Sequence, residues 1–317
     1  MVIQKIKISP NSKQRSAIEH PPSPLMILAG AGTGKTFTLE NRIVHLIKKY
    51  KVDPKHLLAI TYTEKAADEL KNRVIEKVGA KAHSMTVNTF HAFCYKLLKD
   101  NDFSSKQLLD ESEAVHMFLT RFDELKPFES TEFPLDPQKA ITESFMPFFN
   151  RMRDELIDPE KVKVSQLKDD DTLTDETRQQ LSDLKRIYPL FQSWKEELNV
   201  VDYGDMILSA YQMISKNKSI LKNIQDNYRH IVIDEFQDNN FALNEIVNLI
   251  AGKRNYVTAV GDDDQVIYSF RGANNFNIQA FRERYGDHEK YQSIALETNY
   301  RSNQAILDLA NESIKNN

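Results

Sequence analysis

The sequence predicts an α/β protein: a parallel sheet with helices on both faces, into which an all-helical domain is inserted. Two observations support this prediction. Short apolar runs alternate with turns or helix-compatible segments, as expected where helices connect parallel strands. The middle of the chain, from about Lys99 to Trp194, lacks this alternation and is mostly polar with a helical pattern. The apolar runs are LMILAG (25–30), LLAITY (57–62), HIVIDE (230–235) and YVTAV (256–260).

Composition and charge are those of a soluble globular chain of 317 residues, with 40% hydrophobic and 28% charged residues. The net charge of −4 gives no overall support for nucleic-acid binding, but phosphate contacts depend on local basic groups rather than on the sum. Cys94 is the only cysteine, which excludes an intrachain disulfide and is typical of a reducing cytosol. Because no apolar stretch could act as a signal core or cross a membrane, we expect a cytoplasmic protein without a membrane partner.

A glycine-rich segment, AGAGTGKT, follows the first apolar run and precedes the helical pattern FTLENRIVHLIKK. This layout is typical of a phosphate-binding loop, whose backbone N–H groups and following helix attract phosphate. Lys35 would reach the β and γ phosphates, and the Thr36 hydroxyl would hold Mg²⁺. The alternative is an ordinary flexible turn, because the general pattern has Gly where this chain has Ala29. The loop residues are Ala29, Gly30, Ala31, Gly32, Thr33, Gly34, Lys35 and Thr36.

An acidic pair follows another predicted strand, in HIVIDEFQD. Asp234, at the end of that strand, could hold Mg²⁺, and Glu235 could act as the general base for an attacking water. Such a pair on its own would indicate only a surface turn, so the hypothesis depends on the glycine-rich loop. The long separation between Thr36 and Asp234 leaves room for an inserted domain, and it favours a motor-type ATPase over a small-molecule kinase.

Several further segments occur in a characteristic order from Asn11 to Ser302. Together they resemble the motifs of the UvrD/Rep/PcrA family of superfamily 1 DNA helicases, over nearly the whole chain. The segments are PNSKQRSAI, AITYTEKAADELKNRV, VNTFHAFC, VDYGDMI, DEFQD, VGDDDQVIYSFRGA and LETNYRS.

The resemblance implies roles at a site for ATP and Mg²⁺. Gln14 would read the adenine edge, and Tyr300 would stack on the adenine. Gln265 would sense the γ phosphate, Arg301 would contact it, and Gln237 would couple nucleotide to DNA.

The resemblance also implies contacts to single-stranded DNA. Tyr268 and Phe270 would stack on bases, which grips any sequence, and Arg271 would bind the DNA backbone. An aromatic residue among apolar residues is more often part of the core, so Tyr62 or Phe90 alone would be weak evidence for DNA binding. The implied DNA contacts are Tyr62, Thr63, Thr89, Phe90, His91, Tyr268, Phe270 and Arg271.

Some positions depart from the family pattern. Phe37 stands where many relatives have Arg, and Glu64 stands where many have Asn. Phe270 replaces the usual Trp, and Leu243 replaces a frequent Gln. We expect these departures to alter DNA affinity rather than the fold or the ATPase chemistry.

The resemblance implies a domain organisation. A RecA-like P-loop domain would comprise residues 1–100 and 196–290, the inserted helical domain residues 101–195, and a second RecA-like domain would begin within residues 291–317. In the family, later motifs in that second domain supply another arginine to the γ phosphate. We therefore expect this chain to be an N-terminal fragment that binds ATP weakly, hydrolyses it slowly and does not unwind DNA alone.

The function implied is that of an ATP-dependent 3′–5′ DNA helicase or translocase of DNA repair or replication. It would act as a monomer on single-stranded DNA and on junctions with duplex DNA, in the nucleoid-associated cytoplasm. The alternative is a non-motor regulatory module that binds ATP and DNA. The gene sequence beyond codon 317 would separate the two, since only the motor requires the missing motifs.

Overall fold

The computed structural model describes residues 9–101, 106–163, 174–262, 265 and 277–314. The chain divides into two compact units, with helices and strands numbered along the whole chain. Unit 1 comprises Met1–Phe90, Asn217–Asn239 and Ile246–Asn317, and unit 2 comprises His91–Lys216 and Asn240–Glu245. Within the described residues, no helix is both long enough and apolar enough to cross a membrane.

Unit 1 contains a six-stranded sheet in the order β3-β2-β6-β7-β1-β8, and every neighbouring pair is parallel. The four predicted strands are confirmed as β1, β2, β6 and β7, whereas β3 and β8 were not predicted. The strands are β1 Leu25–Ala29, β2 Leu57–Thr61, β3 Thr86–Thr89, β6 His230–Ile233, β7 Val257–Gly261 and β8 Gln292–Leu296.

The sheet is buried on both faces at its centre. Because side chains alternate between faces along a strand, burial at every position of β2, β6 and β7 requires cover on both sides. This confirms the predicted α/β class. The helices of unit 1 are α1 Ser12–Glu19, α2 Lys35–Lys48, α3 Glu64–Val78, α10 Lys218–Asn227, α12 Asn277–Tyr285 and α13 Gln304–Ile314, with the second half of α11 Phe241–Ala251.

The helices next to the glycine-rich loop have clear sequence causes. Helix α2 buries Leu39, Ile43 and Leu46, whose spacing places them on one face. Helix α1 begins with a capping box, in which Asn11 and Gln14 each accept a backbone N–H from the other. These features fix both helices against the sheet that positions the site.

Unit 2 is mostly helical and has its own aromatic core. Phe118 lies at its centre and contacts the rings of Phe145, Phe149, Phe191 and Trp194. Besides helices, the described residues of unit 2 form a parallel pair of two-residue strands, β4 and β5. The elements are α4 Phe90–Lys99, β4 Gln107–Leu108, α5 Glu111–Thr120, α6 Pro137–Lys139, a π-helical segment Ala140–Phe145, α7 Met146–Asp154, α8 Asp175–Glu197, β5 Val200–Val201 and α9 Tyr203–Lys216.

Strand β8 belongs to the sheet of unit 1. It pairs with β1 from Leu25↔Gln292 to Ala29↔Leu296, and its Ile294 and Leu296 join the same hydrophobic cluster as β1. The sequence analysis expects a second domain to begin within residues 291–317, and that boundary stays a prediction. Strand β8 is an edge strand of this sheet.

Candidate functional site

The glycine-rich loop connects β1 to α2 and has two left-handed residues. Gly32 has a φ of 78° and Gly34 a φ of 88°, values that favour glycine. At Gly30 a side-chain Cβ would meet its nearest neighbour at 3.7 Å, an ordinary contact. Ala29 stands where the general pattern has glycine, but it is the buried last residue of β1 and its methyl group lies in the core.

The two predicted halves of the site meet in unit 1. Lys35 opens α2, Glu235 follows β6, and only β7 lies between their strands in the sheet. The Lys35 Nζ lies 2.8 Å from Glu235 Oε2, and their side chains are 13% and 33% exposed. This contact joins residues from distant parts of the sequence, and both side chains remain partly exposed.

Glu235 has an unusual backbone. Its φ of 49° and ψ of 47° lie in the left-handed region, which a glutamate rarely adopts. The residue opens a short 3₁₀ turn, Phe236–Asp238. Strained backbone of this kind costs about 1–3 kcal/mol and occurs often at functional sites.

A chain of hydrogen bonds extends from Glu235 to Gln265. The Gln237 Nε2 donates to Glu235 Oε2 at 2.9 Å, and the Asp262 backbone N–H donates to Gln237 Oε1 at 3.0 Å. The Gln265 amide in turn donates to the Asp262 carboxylate. Lys35, Glu235 and Gln265, each predicted to act in catalysis, are thus linked through Gln237 and Asp262.

The acidic side of the site carries more negative charge than Lys35 balances. Burial, followed by the charge of Glu235, raises the pKa of Asp234 to about 6 even though Lys35 opposes the shift. Burial and Glu235 also raise the pKa of Asp238 to about 6. The Asp238 Oδ1 is buried and finds no hydrogen-bond partner among the described residues. A cation bound here would offset this charge.

The predicted adenine contacts lie beside the loop. The Gln14 Nε2 donates to Thr33 O at 3.0 Å and its Oε1 accepts the Asn11 N–H at 3.1 Å. Gln14 is only 3% exposed; with the partners that the described residues supply, one amide hydrogen and one lone pair are left for a base. Tyr300 is 61% exposed; its N–H donates to Gly32 O at 2.9 Å, and its hydroxyl accepts from Asn11 Nδ2 at 2.8 Å.

Thr36 and Arg301 are the other residues that the sequence analysis predicted to contact the nucleotide. Thr36 is exposed in the first turn of α2. Arg301 is exposed, and its Cβ would lie 2.8 Å from a Cβ built on Gly32, so its backbone lies against the loop. Among the residues that the structure covers, no group of three or more His, Cys, Asp or Glu side chains could hold a metal ion. Asp234 and Thr36 would therefore need oxygen ligands from a nucleotide to complete a Mg²⁺ site.

The predicted DNA contacts in unit 1 differ in exposure. Tyr62 directly follows β2 and is 41% exposed, while Thr63 caps α3 by accepting the Ala66 N–H. Thr89 ends β3 and is half-buried. Phe90 is only 8% exposed, which favours the core interpretation that the sequence left open for it.

One predicted DNA contact belongs to unit 2, and three lie outside the described residues. The ring of His91 contacts the exposed Tyr203 edge-on, with ring centroids 5.2 Å apart. Tyr268, Phe270 and Arg271 are outside the part of the chain that the structure describes.

Three polar residues of the site were missed by sequence reasoning. Asp262 links Gln237 to Gln265, and Asn299 contacts the loop. The Asn277 amide donates to the backbone carbonyls of Gln237 and Asn239, at 3.0 and 2.6 Å, and so fixes the turn after Glu235. Each acts through contacts distant in sequence. Asp262 and Asn299 lie inside quoted motifs, which could have drawn attention to them, whereas no quoted motif includes Asn277.

The fold and this loop define a class of protein. A parallel sheet whose first strand leads through a Gly-x-Gly-Lys-Thr loop into a helix, with an acidic pair facing the lysine, is the arrangement of a P-loop nucleotide-binding protein. Residues 10–286 match the family of the UvrD/REP helicase N-terminal domain. The chain belongs to this family.

Individual relatives are similar along almost the whole chain. It is 32% identical to DNA helicase II of Haemophilus influenzae over 316 residues, which is 97% of this chain and 40% of the relative. It is also 32% identical to the ATP-dependent DNA helicase Rep of Escherichia coli and to the ATP-dependent DNA helicase PcrA of Staphylococcus aureus. Both matches cover 97% of this chain, and 43% and 40% of those relatives. The chain thus spans about two fifths of the length of these relatives.

Proposed function

We propose that unit 1 binds ATP with Mg²⁺ and hydrolyses it as the N-terminal part of a DNA helicase motor. The observation that carries the proposal is the 2.8 Å contact between Lys35 and Glu235. This contact supports a phosphate-binding role for Lys35 and a general-base role for Glu235. The relatives named as helicases support the same function.

The first chemical role is phosphate binding. The loop N–H groups and the start of α2 favour an anion, and Lys35 adds a full positive charge. When a phosphate oxygen takes the Lys35 hydrogen bond, Glu235 loses that partner. Its carboxylate can then accept the proton of a water that attacks the γ phosphate.

The proposed metal ligands fit Mg²⁺ by their chemistry. Thr36 offers a hydroxyl and Asp234 a carboxylate, both of them hard oxygen ligands. The raised pKa of Asp234 reflects a buried negative charge with too little compensation, which a divalent cation would supply. The ion would neutralise charge on the phosphates, while this chain contributes the two ligands.

Further residues would recognise the ends of the nucleotide. Gln14 and Tyr300 would contact the adenine, and Arg301 and Gln265 the γ phosphate. The hydrogen-bond chain through Gln237 and Asp262 offers a route by which loss of the γ phosphate changes the position of Gln265.

The proposal also includes binding of single-stranded DNA. Tyr62 presents an exposed ring at the carboxyl end of β2, where it could stack on a base for about 1–3 kcal/mol. Thr63, Thr89 and His91 would contact the strand nearby, together with Tyr268, Phe270 and Arg271. Movement from 3′ to 5′, action at junctions and a role in repair or replication are part of the same proposal.

The test is Glu235→Gln in the whole natural protein. This change keeps the size of the side chain and removes its basicity, so ATP should still bind while single-strand-stimulated hydrolysis falls by about 10²–10⁴. Binding is measured with a fluorescent ATP analogue and turnover by phosphate release. Glu289→Gln, an exposed acid whose distance from Lys290 is 3.7 Å, is the control and should hydrolyse normally.

Two outcomes would count against the proposal. Normal hydrolysis by Glu235→Gln would remove the general-base role. Absence of nucleotide binding by the unmodified protein would remove the proposed function altogether.

A further inference from the structure

The five backbone carbonyls from Gly30 to Gly34 in the glycine-rich loop each accept a hydrogen bond from a protein donor. Gly30 O accepts from the Thr33 hydroxyl at 2.7 Å, and Gly34 O accepts from the Thr38 N–H at 2.9 Å. Ala31 O, Gly32 O and Thr33 O accept from Asn299 Nδ2, the Tyr300 N–H and Gln14 Nε2, at 2.6, 2.9 and 3.0 Å. The carbonyl side of the loop is therefore satisfied by the protein itself.

This pattern orients the N–H groups of the loop. In a planar trans peptide, the carbonyl of one residue and the N–H of the next point in opposite directions. Fixing the carbonyls from Gly30 to Gly34 thus turns the N–H groups of Ala31, Gly32 and Lys35 away from those donors. Such prior orientation lowers the cost of binding an anion.

Asn299 connects the loop to the segment that carries Arg301 through its side chain, next to the backbone contact between the Tyr300 N–H and Gly32 O. Its Nδ2 donates to Ala31 O at 2.6 Å, while its Oδ1 accepts the N–H groups of Arg301 and Ser302, each at 2.8 Å. A Cβ at Gly32 would lie 2.7 Å from Asn299 Nδ2. The glycine is therefore required both by its φ and by the close approach of this amide.

We propose that Asn299 is a positioning residue for the γ phosphate, an inference that rests on the proposed nucleotide site. Its Nδ2 orients the Ala31–Gly32 peptide toward the phosphates. Its Oδ1 holds the turn that places Arg301 beside the same loop. ADP would depend on the first interaction only, whereas ATP would depend on both.

Two substitutions separate these interactions. Asn299→Asp keeps an oxygen for the Arg301 and Ser302 N–H groups but loses the donor to Ala31 O. Asn299→Ala loses both. Asn303→Ala is the matched control, because Asn303 accepts the Ile306 N–H at the start of α13 and is exposed.

The experiment is calorimetric titration of the 317-residue chain with MgADP and with MgATPγS. Asn299→Asp should weaken MgADP by about three- to tenfold, the loss of the hydrogen bond to Ala31 O. Asn299→Ala should weaken ATPγS about tenfold more than ADP, because the Arg301 contact is charge-assisted. Arg301→Ala should lower the ratio similarly, and combining it with Asn299→Ala should lower it no further.

The outcomes distinguish this inference from the proposed function. If the unmodified chain binds neither nucleotide, the nucleotide site itself is wrong and the role of Asn299 falls with it. If the chain binds both nucleotides and Asn299→Ala keeps the wild-type ratio, Asn299 is only structural and this inference alone is overturned. The thermal unfolding of each variant is measured alongside, and Asn299→Asp, which keeps the turn, tests the loop contact independently of Asn299→Ala.

Discussion

Two clusters of charged side chains, one in each unit, contain lysine and neighbouring acids but differ in electrostatic balance. In unit 2, Arg153 and Lys195 face Asp202 and Asp205, and all of these residues are buried. In unit 1, Lys35 faces Glu235 beside Asp234. Both acidic segments stood out in the sequence, as VDYGD and DEFQD.

The cluster of unit 2 is balanced. The Arg153 Nη1 lies 2.6 Å from Asp202 and 2.9 Å from Asp205, and the Lys195 Nζ lies 2.9 Å from Asp202. Although burial raises the pKa of Asp202, the charges of Arg153 and Lys195 hold it well below its ordinary value. Gly204 completes the arrangement, since a Cβ there would lie 2.7 Å from Arg153 Nε. This cluster needs no ligand.

The cluster of unit 1 is not balanced. One lysine faces acids whose charges repel one another, and the pKa of Asp234 moves upward instead of downward. The opposite directions of the two pKa shifts separate a structural ion cluster from one that favours a bound cation. Buried pairs are costly to break, whereas an incompletely paired site keeps interactions available for a ligand.

The largest expected effect is on the balanced cluster. Arg153→Met leaves two buried aspartates with one lysine, and should lower the free energy of unfolding of unit 2 by about 3–5 kcal/mol. Urea denaturation followed by tryptophan fluorescence measures this, because the only tryptophan, Trp194, is buried in unit 2. Arg151→Met is the control: this exposed arginine of α7 pairs with Glu155, the residue that follows the helix, and its loss should cost less than about 1 kcal/mol. Equal effects for the two variants would contradict the structural role of the cluster.

A smaller effect is expected in unit 1, and on binding rather than stability. Lys35→Met should weaken MgADP about 10–150-fold, the loss of a hydrogen bond to a charged group, with little change in unfolding. Calorimetry measures the affinity, and Lys48→Met, exposed at the other end of α2, is the control. A large loss of stability with unchanged affinity would place Lys35 with the structural cluster instead.

The smallest effect concerns pH. Folded Asp234 keeps its proton up to about pH 6, whereas in the unfolded chain it ionises near its ordinary pKa of 3.8. The unfolded state therefore binds fewer protons between these values, so this group lowers stability as the pH rises from about 4 to 6 and then contributes a constant penalty. Asp234→Asn should be more stable than wild type by about 1–2 kcal/mol near pH 7.5, and the gain should vanish near pH 4.

The measurement for Asp234→Asn is thermal unfolding by circular dichroism without metal at both pH values. Asp68→Asn, an exposed acid on α3, should show no such pH-dependent gain. If Asp234→Asn were destabilised equally at both pH values, the charge of Asp234 would be balanced by its neighbours. The contrast between the two charged clusters would then be wrong.

Much of the sheet could be predicted because its four central strands are buried at nearly every position. Strands β1, β2, β6 and β7 appear in the sequence as continuous apolar runs. The edge strands β3 and β8 were missed because their partly exposed positions carry polar residues, such as Asn88 and Gln292. An edge strand is defined by its neighbour, which no local pattern shows.

By itself, the sequence determined the P-loop, the acidic pair, the α/β class and the family resemblance, because each is encoded by neighbouring residues. The tertiary structure alone decided which charges meet. It brought Glu235 to Lys35, Asn299 to Ala31 and Arg153 to Asp202. The physical reason is that a local motif can specify a side chain and its backbone, but the balance of charge around it depends on residues that folding brings from elsewhere in the chain.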